Sequence, residues 1–282
     1  MKHKKIEDIV EDRFKKISDA YDKARLHFIE DDIRIFRVKV KKLAACLHLI
    51  CAAEEHHHVK LPPKIEKINQ LFGAIRILQM QQNHVFSTIK EYQTGSPDTY
   101  LKLISDQILE NMEDINKHVK GMKPFKKAEE QLLKVLPKKL SPESILQFVG
   151  LEGDNLEKLF NPVFPADQSF HKARKHLKNL LYISPYTDLE IKILSPYKLL
   201  SSFEEIDSFS KLLGNFHDLN TAVDCLYRHT NKFEPGEHEK AILRRQEQIW
   251  VKAKEGLRIK IYEEMQKIVA SGRTDRPQLY SR

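Results

Sequence analysis

Two segments of this chain of 282 residues are near-copies of one amphipathic pattern, and this internal repeat restricts the folds that the chain can adopt. The copies are residues 33–43 and 170–180, which align when Arg34 is set against His171. Apolar residues then match apolar residues, as expected of two helices that each need a core. Cations match as well, in the pairs Arg37 with Arg174 and Lys41 with Lys178. Because folding alone does not explain the matched cations, the repeat indicates a shared anionic ligand.

A second matched block lies downstream of each copy. Residues 71–78 contain Gly73, and residues 212–219 contain Gly214 in a similar setting. A glycine inside a helix costs about 1 kcal/mol relative to alanine. A matched pair of such glycines therefore predicts that another helix crosses closely in each half of the chain.

Helical spacing of apolar residues recurs along nearly the whole chain, and glycine is scarce at 9 residues, so we predict an all-α fold. The main helices are expected near residues 6–28, 31–54, 64–92, 98–119, 170–183, 199–232 and 237–270. Shorter helices are expected at 125–136 and after Ser141, with Gly150, Gly153 and Pro162 as interruptions.

The repeat also predicts how the chain is divided. We expect a single domain with an N-terminal helical repeat at residues 1–121 and a C-terminal helical repeat at 166–270. Residues 122–165 would form connecting helices between the two repeats. Residues 271–282 show no apolar period, so we predict a disordered tail there.

Helical wheels place the matched cations on one flank of each helix. At 3.6 residues per turn, each cationic row lies about 100° from its core stripe, displaced in the same sense in both copies. No acid interrupts either row, although like charges one turn apart destabilise a helix. The rows consist of Arg34, Arg37, Lys41 and His48 in the first copy and of His171, Arg174 and Lys178 in the second.

These residues resemble the CHAD family, the conserved-histidine α-helical domain. In that family a His-x-x-Arg-x-x-x-Lys/Arg-Arg-Leu pattern, followed by a Leu-Gly-x-x-Arg/His-Asp-Leu block, occurs twice. The second copy of this chain fits the pattern through His171 and residues 213–219. The first copy departs from it, because Arg34 replaces the histidine and Ile77 replaces the acid.

The resemblance implies two pseudo-symmetric four-helix bundles around a basic central cleft or pore that binds inorganic polyphosphate or a similar phosphate polyanion. It also implies a binding module rather than an enzyme, with no cofactor and no bound metal. Arginine forks and lysine point charges suit such a ligand. The residues expected to bind it are Arg34, Arg37, Lys41, Lys42, His48, His171, Arg174, Lys175 and Lys178. Secondary candidates are Arg76, His217, Arg244, Arg245 and Arg258.

Two other functions are compatible with the same residues. A basic helical module could bind RNA or DNA, although a single tryptophan, Trp250, argues against a stacking platform for single strands. His217 and Asp218 could be the central pair of a metal-dependent phosphohydrolase, but such a site needs further ligands that the sequence does not fix. The three adjacent histidines at residues 56–58 lack helical ligand spacing, and we expect an exposed loop cluster there.

Charge and cysteine usage bear on the location of the protein. The formal net charge is +8, which is compatible with a polyanionic partner. The 3 cysteines form no CxxC pair and lie in apolar helical pattern, as expected of reduced thiols. No apolar run reaches the roughly 18 residues that a membrane span needs. We therefore expect a cytoplasmic protein that is not bound to a membrane, and the resemblance adds polyphosphate granules as a location. The oligomeric state stays open.

Overall fold

The computed structural model describes residues 3–53, 59–118, 125–137, 140–160, 165–187, 202–230 and 234–273, and these residues form helices without a single strand. The prediction of an all-α fold is confirmed. The helices are α1 (His3–His27), α2 (Glu30–Ala53), α3 (Pro63–Tyr92), α4 (Asp98–His118), α5 (Lys126–Leu133), α6 (Pro142–Phe160), α7 (Asp167–Thr187), α8 (Phe203–Thr230) and α9 (Glu237–Arg273).

The helices pack in two matched sets of four. In the first set α1 packs on α2, α2 on α3, and α3 on α4, and in the second set α6, α7, α8 and α9 repeat that order of contacts. Equivalent helices also meet across the molecule, since α2 contacts α7 and α3 contacts α8. This arrangement brings the two basic segments, which lie on α2 and α7, next to each other.

The core stripes of the two basic helices lie where their spacing predicts. Phe36 and Val40 of α2 and Phe170 and Leu177 of α7 are almost completely buried. They belong to one hydrophobic core that runs through both sets of helices. Burying an apolar side chain of this size stabilises a fold by about 1.5–3 kcal/mol, so these stripes fix the rotation of α2 and α7. The rotation in turn determines where the cationic rows point.

Local signals in the sequence predict helix α6 only in part. Ser141 caps it as expected, and its Oγ accepts a hydrogen bond from the backbone N–H of Ser144 at 3.0 Å. The predicted interruptions at Gly150 and Gly153 are wrong, because α6 runs through both residues to Phe160. Apolar residues keep helical spacing across both glycines and are buried, so tertiary packing outweighs the low helix propensity of glycine.

Other predictions concern residues that the structure does not describe, or a division of the chain that the helix contacts alone do not test. The histidines at 56–58 lie outside the described residues, as do residues 274–282 of the predicted tail. The division of the chain at residues 121 and 166 stays a prediction. Helix α6, which lies within the predicted connection, packs on α7 as α1 packs on α2. Within the described helices, no stretch is both long and apolar enough to cross a membrane.

Candidate functional site

Each basic helix places one arginine against a glycine of the following helix. Arg37 of α2 lies over Gly73 of α3, and its Nη1 donates a hydrogen bond to the backbone oxygen of Asn69 at 2.6 Å. In the second set Arg174 lies over Gly214, where a Cβ atom would come within 3.0 Å of its Nε. The prediction that another helix backbone crosses closely at these glycines is therefore corrected. The space that glycine leaves is filled by a guanidinium group rather than by another backbone.

Lys41 lies where the two cationic rows converge. Its ammonium group interacts electrostatically with Arg37 on its own helix and with Arg174 and Lys178 on α7. Surrounding protein and these three cations lower the pKa of Lys41 to about 8. The side chain nevertheless remains accessible to water. A cation that is both surrounded by protein and exposed lies in a recess. Lys41, Arg37, Arg174 and Lys178 therefore gather at one basic recess beside α2 and α7, which we call the cleft.

Helices α3 and α8 form the flank of this cleft. Asp218 of α8 interacts electrostatically with Arg174, His84, Arg76 and Lys41, which belong to three other helices. Burial raises the pKa of the Asp218 carboxyl despite these four positive or basic neighbours. Among the described residues, none makes a hydrogen bond or an ion pair with the Asp218 side chain.

Two imidazole rings lie at the α7–α8 side of the cleft. The rings of His171 and His217 are 4.4 Å apart between centroids, with an angle of 37° between their planes. Burial, followed by neighbouring cations, lowers the pKa of both residues, so both are largely neutral at pH 7. The two rings line a cavity of about 360 Å³, together with Asp167, Gln168, Lys172, Phe216 and Asn220.

Carboxylates form ion pairs with some of the predicted binding residues but not with others. Lys178 pairs with Asp207 at 2.9 Å, and Arg34 pairs with Asp31 at 2.7 Å on the exposed start of α2. Arg76 pairs with Glu30. In the described part of the chain no carboxylate forms an ion pair with Arg37, Lys41 or Arg174, and Nε of Arg174 is buried without a hydrogen-bond partner.

The remaining primary candidates lie at the edge of the cleft or beyond it. Lys42 lies near enough to Arg13 of α1 to feel its charge, and its Nζ lies 5.7 Å from the ring centroid of Tyr182 of α7. His48 is exposed, and its Nδ1 lies 3.5 Å from a carboxylate oxygen of the buried Glu152. Lys175 is exposed on α7 and lies close enough to His171 to affect its titration.

The secondary candidates divide into two groups. Arg76 and His217 belong to the cleft, as described above. Arg258 of α9 is held by Asp167 at 2.7 Å and by Glu255 at 2.9 Å. Arg244 lines a different pocket of about 470 Å³ between the end of α8 and the start of α9, and Arg245 is exposed on α9.

Sequence reasoning missed His84 as a member of the cleft. It interacts with Asp218, and burial lowers its pKa. His84 lies about three helical turns after Gly73 and therefore on the same face of α3, so extending the stripe beyond Arg76 would have found it. Over the residues that the structure describes, no group of histidine, cysteine and acidic side chains has the geometry to hold a metal ion.

The fold and this site define an all-helical protein in which two matched sets of helices enclose a basic cleft. No protein-family model matches the sequence, and no curated protein matches it. Among solved structures, the chain is similar to PptA from Streptomyces chartreusis, with a TM-score of 0.63 and 11% sequence identity over 94% of this chain and 99% of that one. At this identity the likeness shows a shared fold and nothing about activity.

Proposed function

We propose that this protein binds inorganic polyphosphate, or a closely related phosphate polyanion, in the cleft between α2 and α7 and does so without catalysis. The observation that carries the proposal is the convergence of Arg37, Lys41, Arg174 and Lys178 from two helices. Three of these cations form no ion pair with a carboxylate of the described residues. The resemblance of the repeated motif to the CHAD family supports the same ligand.

Electrostatics explains why a polymeric anion suits this cleft. Like charges held close together destabilise the fold, and the pKa of Lys41 is lowered first by burial and then by repulsion from its neighbouring cations. A bound phosphate chain would relieve it, and a linear anion with about one charge per phosphate could contact both helices at once. Arg37 and Arg174 would supply planar guanidinium donors, while Lys41 would supply a point charge.

The surroundings of the cleft favour a phosphate polymer over single-stranded nucleic acid. Binding of single strands relies on aromatic side chains against which bases stack. Trp250 is buried, and its indole N–H donates a hydrogen bond to Oγ1 of Thr88 at 2.7 Å, so its ring is committed to the core. The groups that converge in the cleft are instead guanidinium, ammonium and imidazole groups.

Calorimetric titration with long-chain polyphosphate tests the proposal. We expect binding at about 50 mM salt. If four phosphates are neutralised and the salt dependence is that of a single-stranded polyanion, the affinity should be roughly fiftyfold weaker at about 200 mM. The double variant Arg37→Gln/Arg174→Gln should lose most of the affinity. The double variant Arg244→Gln/Arg245→Gln removes the same charge on α9, away from the cleft, and should bind nearly as tightly as the unchanged protein.

Three results would contradict the proposal. The first is the absence of binding at low salt, and the second is an equal loss of affinity in both double variants. The third is displacement of polyphosphate by RNA or DNA at comparable charge concentration, which would favour a nucleic-acid module. Phosphate release that depends on a divalent metal and on Asp218 would indicate a phosphohydrolase and refute the non-catalytic part.

A further inference from the structure

The two sides of the cleft carry different kinds of charge at equivalent positions. We call α2 and α3 the first wall, and α7 and α8 the second wall. Where the first wall has Arg34, the second has His171. In the glycine-containing blocks, Arg76 of the first wall corresponds to His217, and Ile77 corresponds to Asp218. The second wall thus has groups that can gain or lose a proton in place of a fixed cation or an apolar residue.

Asp218 occupies a central position in the cleft. It follows Gly214 by one helical turn, so it lies on the face of α8 that Arg174 covers. Its charged neighbours come from α2 (Lys41), from α3 (Arg76 and His84) and from α7 (Arg174). Helix α9 also packs on α8, but its cations Lys254 and Arg258 are directed to Asp167. Asp218 is therefore a carboxylate placed among cations without forming a close ion pair with any described one of them.

The two histidines share these surroundings. His171 and His217 contact each other, and Arg174 and Lys41 act on both of them. On the histidines' own helices, Lys175 acts on His171 and Asp224 acts on His217. Lys254 of α9 donates a hydrogen bond to Oδ1 of Asn220 at 3.2 Å, beside the cavity that the two rings line. Cations outnumber anions around both rings, so an added anion would change their titration strongly.

We propose that Asp218 is a built-in counter-anion of the cleft, and that a phosphate polyanion binds with uptake of protons by Asp218, His171 and His217. This inference rests on the proposed function and adds a regulatory property, which is tighter binding at acidic pH. In the absence of ligand, the Asp218 carboxylate offsets part of the repulsion among Arg174, Arg76 and Lys41.

A polyanion would take over that role of Asp218. Its negative potential would favour the protonated form of each of the three groups, which leaves Asp218 neutral and the imidazoles charged. Linkage is reciprocal, so protonation must strengthen polyanion binding by the same factor. In the free protein, burial raises the pKa of Asp218 and lowers the pKa of both histidines. Asp218 is therefore easier to protonate, and the two imidazoles are largely neutral and can each gain a proton when the polyanion binds. Affinity should rise as pH falls from about 7 to about 5.5.

Calorimetry in two buffers of different ionisation enthalpy measures the proton uptake directly. The ligand is long-chain polyphosphate, whose few end groups contribute little titration of their own. We expect net proton uptake on binding at about pH 6. The isosteric variant Asp218→Asn should bind about tenfold more tightly at pH 7 and take up fewer protons. The control Asp19→Asn removes one exposed negative charge from α1 and should change neither property.

The outcomes separate this inference from the proposed function. Polyphosphate binding without proton uptake would overturn the inference and leave the binding function intact. Equal affinities for Asp218→Asn and Asp19→Asn would do the same. The proton-uptake measurement uses the unchanged protein, so it decides the question even if a variant folds poorly. No binding at any pH would overturn both the function and the inference.

Discussion

Replacing Gly73 by alanine should separate ligand binding from stability. A Cβ atom at this position would overlap Nη1 of Arg37. The other atoms close to it also belong to that guanidinium group. Because the obstacle is the end of a flexible side chain, Arg37 can move while α2 and α3 keep their positions. We therefore expect Gly73→Ala to fold, but with Arg37 displaced from its place in the cleft.

The effect on stability follows from two opposing terms. Alanine in place of a helical glycine contributes about 1 kcal/mol. The displaced Arg37 loses its hydrogen bond to the backbone oxygen of Asn69, which at this partly buried site is worth about 1.5–2 kcal/mol. The free energy of unfolding should thus fall by no more than about 1 kcal/mol. Binding of polyphosphate should weaken by about 1.4 kcal/mol, or about tenfold, through the loss of one well-placed cation.

Two other glycines provide matched controls. Gly150 in α6 and Gly256 in α9 are exposed, and nothing lies within 4 Å of a Cβ atom added at either position. Alanine there should raise the unfolding free energy by up to about 1 kcal/mol without changing affinity. Urea denaturation measures the first quantity, and calorimetric titration with polyphosphate at low salt measures the second.

Gly214→Ala provides a graded comparison. Its Cβ atom would meet Nε of Arg174 at 3.0 Å, which is a milder overlap than the one at Gly73. We expect a smaller loss of affinity than for Gly73→Ala. If Gly73→Ala binds polyphosphate as tightly as the Gly150→Ala control, then the contact between arginine and glycine does not organise the site, and the reasoning fails.

Three further predictions concern single side chains of the cleft and its border. The affinity for polyphosphate should fall as pH rises through about 8, because Lys41 then loses its proton. The variant Lys41→Arg stays charged and should remove this step from a pH titration of the dissociation constant. Asp207→Asn releases Lys178 from its ion pair and should tighten binding about threefold at low salt, measured by calorimetry against the unchanged protein. Glu152→Gln weakens the contact of this buried carboxylate with Nδ1 of His176, 2.6 Å away, and should lower the unfolding free energy in urea by about 1–2 kcal/mol without a large effect on affinity.

Helical periodicity was sufficient to predict the parts of the fold that depend on one helix at a time. The core stripe through Phe36 and Val40 fixes the rotation of α2, and the matching stripe through Phe170 fixes that of α7. Once both rotations are known, the flank that carries Arg37 and Arg174 is known as well. The repeat then predicts equivalent surroundings for the two arginines, and each does lie over a glycine of the following helix.

Sequence spacing does not reveal which partner a side chain meets from another helix. Lys178 and Arg174 lie on the same face of a helical wheel. Lys178 nevertheless pairs with Asp207 of α8, whereas Arg174 forms no ion pair with a described carboxylate. His84 belongs to the cleft only because α3 and α8 meet. Such pairings depend on tertiary contacts between helices that are far apart in the chain, and a single sequence contains no direct record of those contacts.

The cost of the cleft to folding is the strongest physical reason to assign it a ligand. Lys41 lies one turn from Arg37 on α2, and packing α2 against α7 brings Arg174 close to it as well. Burial together with repulsion keeps the pKa of Lys41 near 8 rather than at its ordinary value. Buried apolar contacts could hold the same two helices together with neutral residues at these positions, since the cations add nothing to the core. Mutually repelling groups in both repeats, each with a glycine opposite its arginine, are what we would expect of a fold that receives negative charge from a ligand, as proposed above. On that proposal, Asp218 of the second wall supplies some of this charge internally, and pH would control how much must come from the ligand.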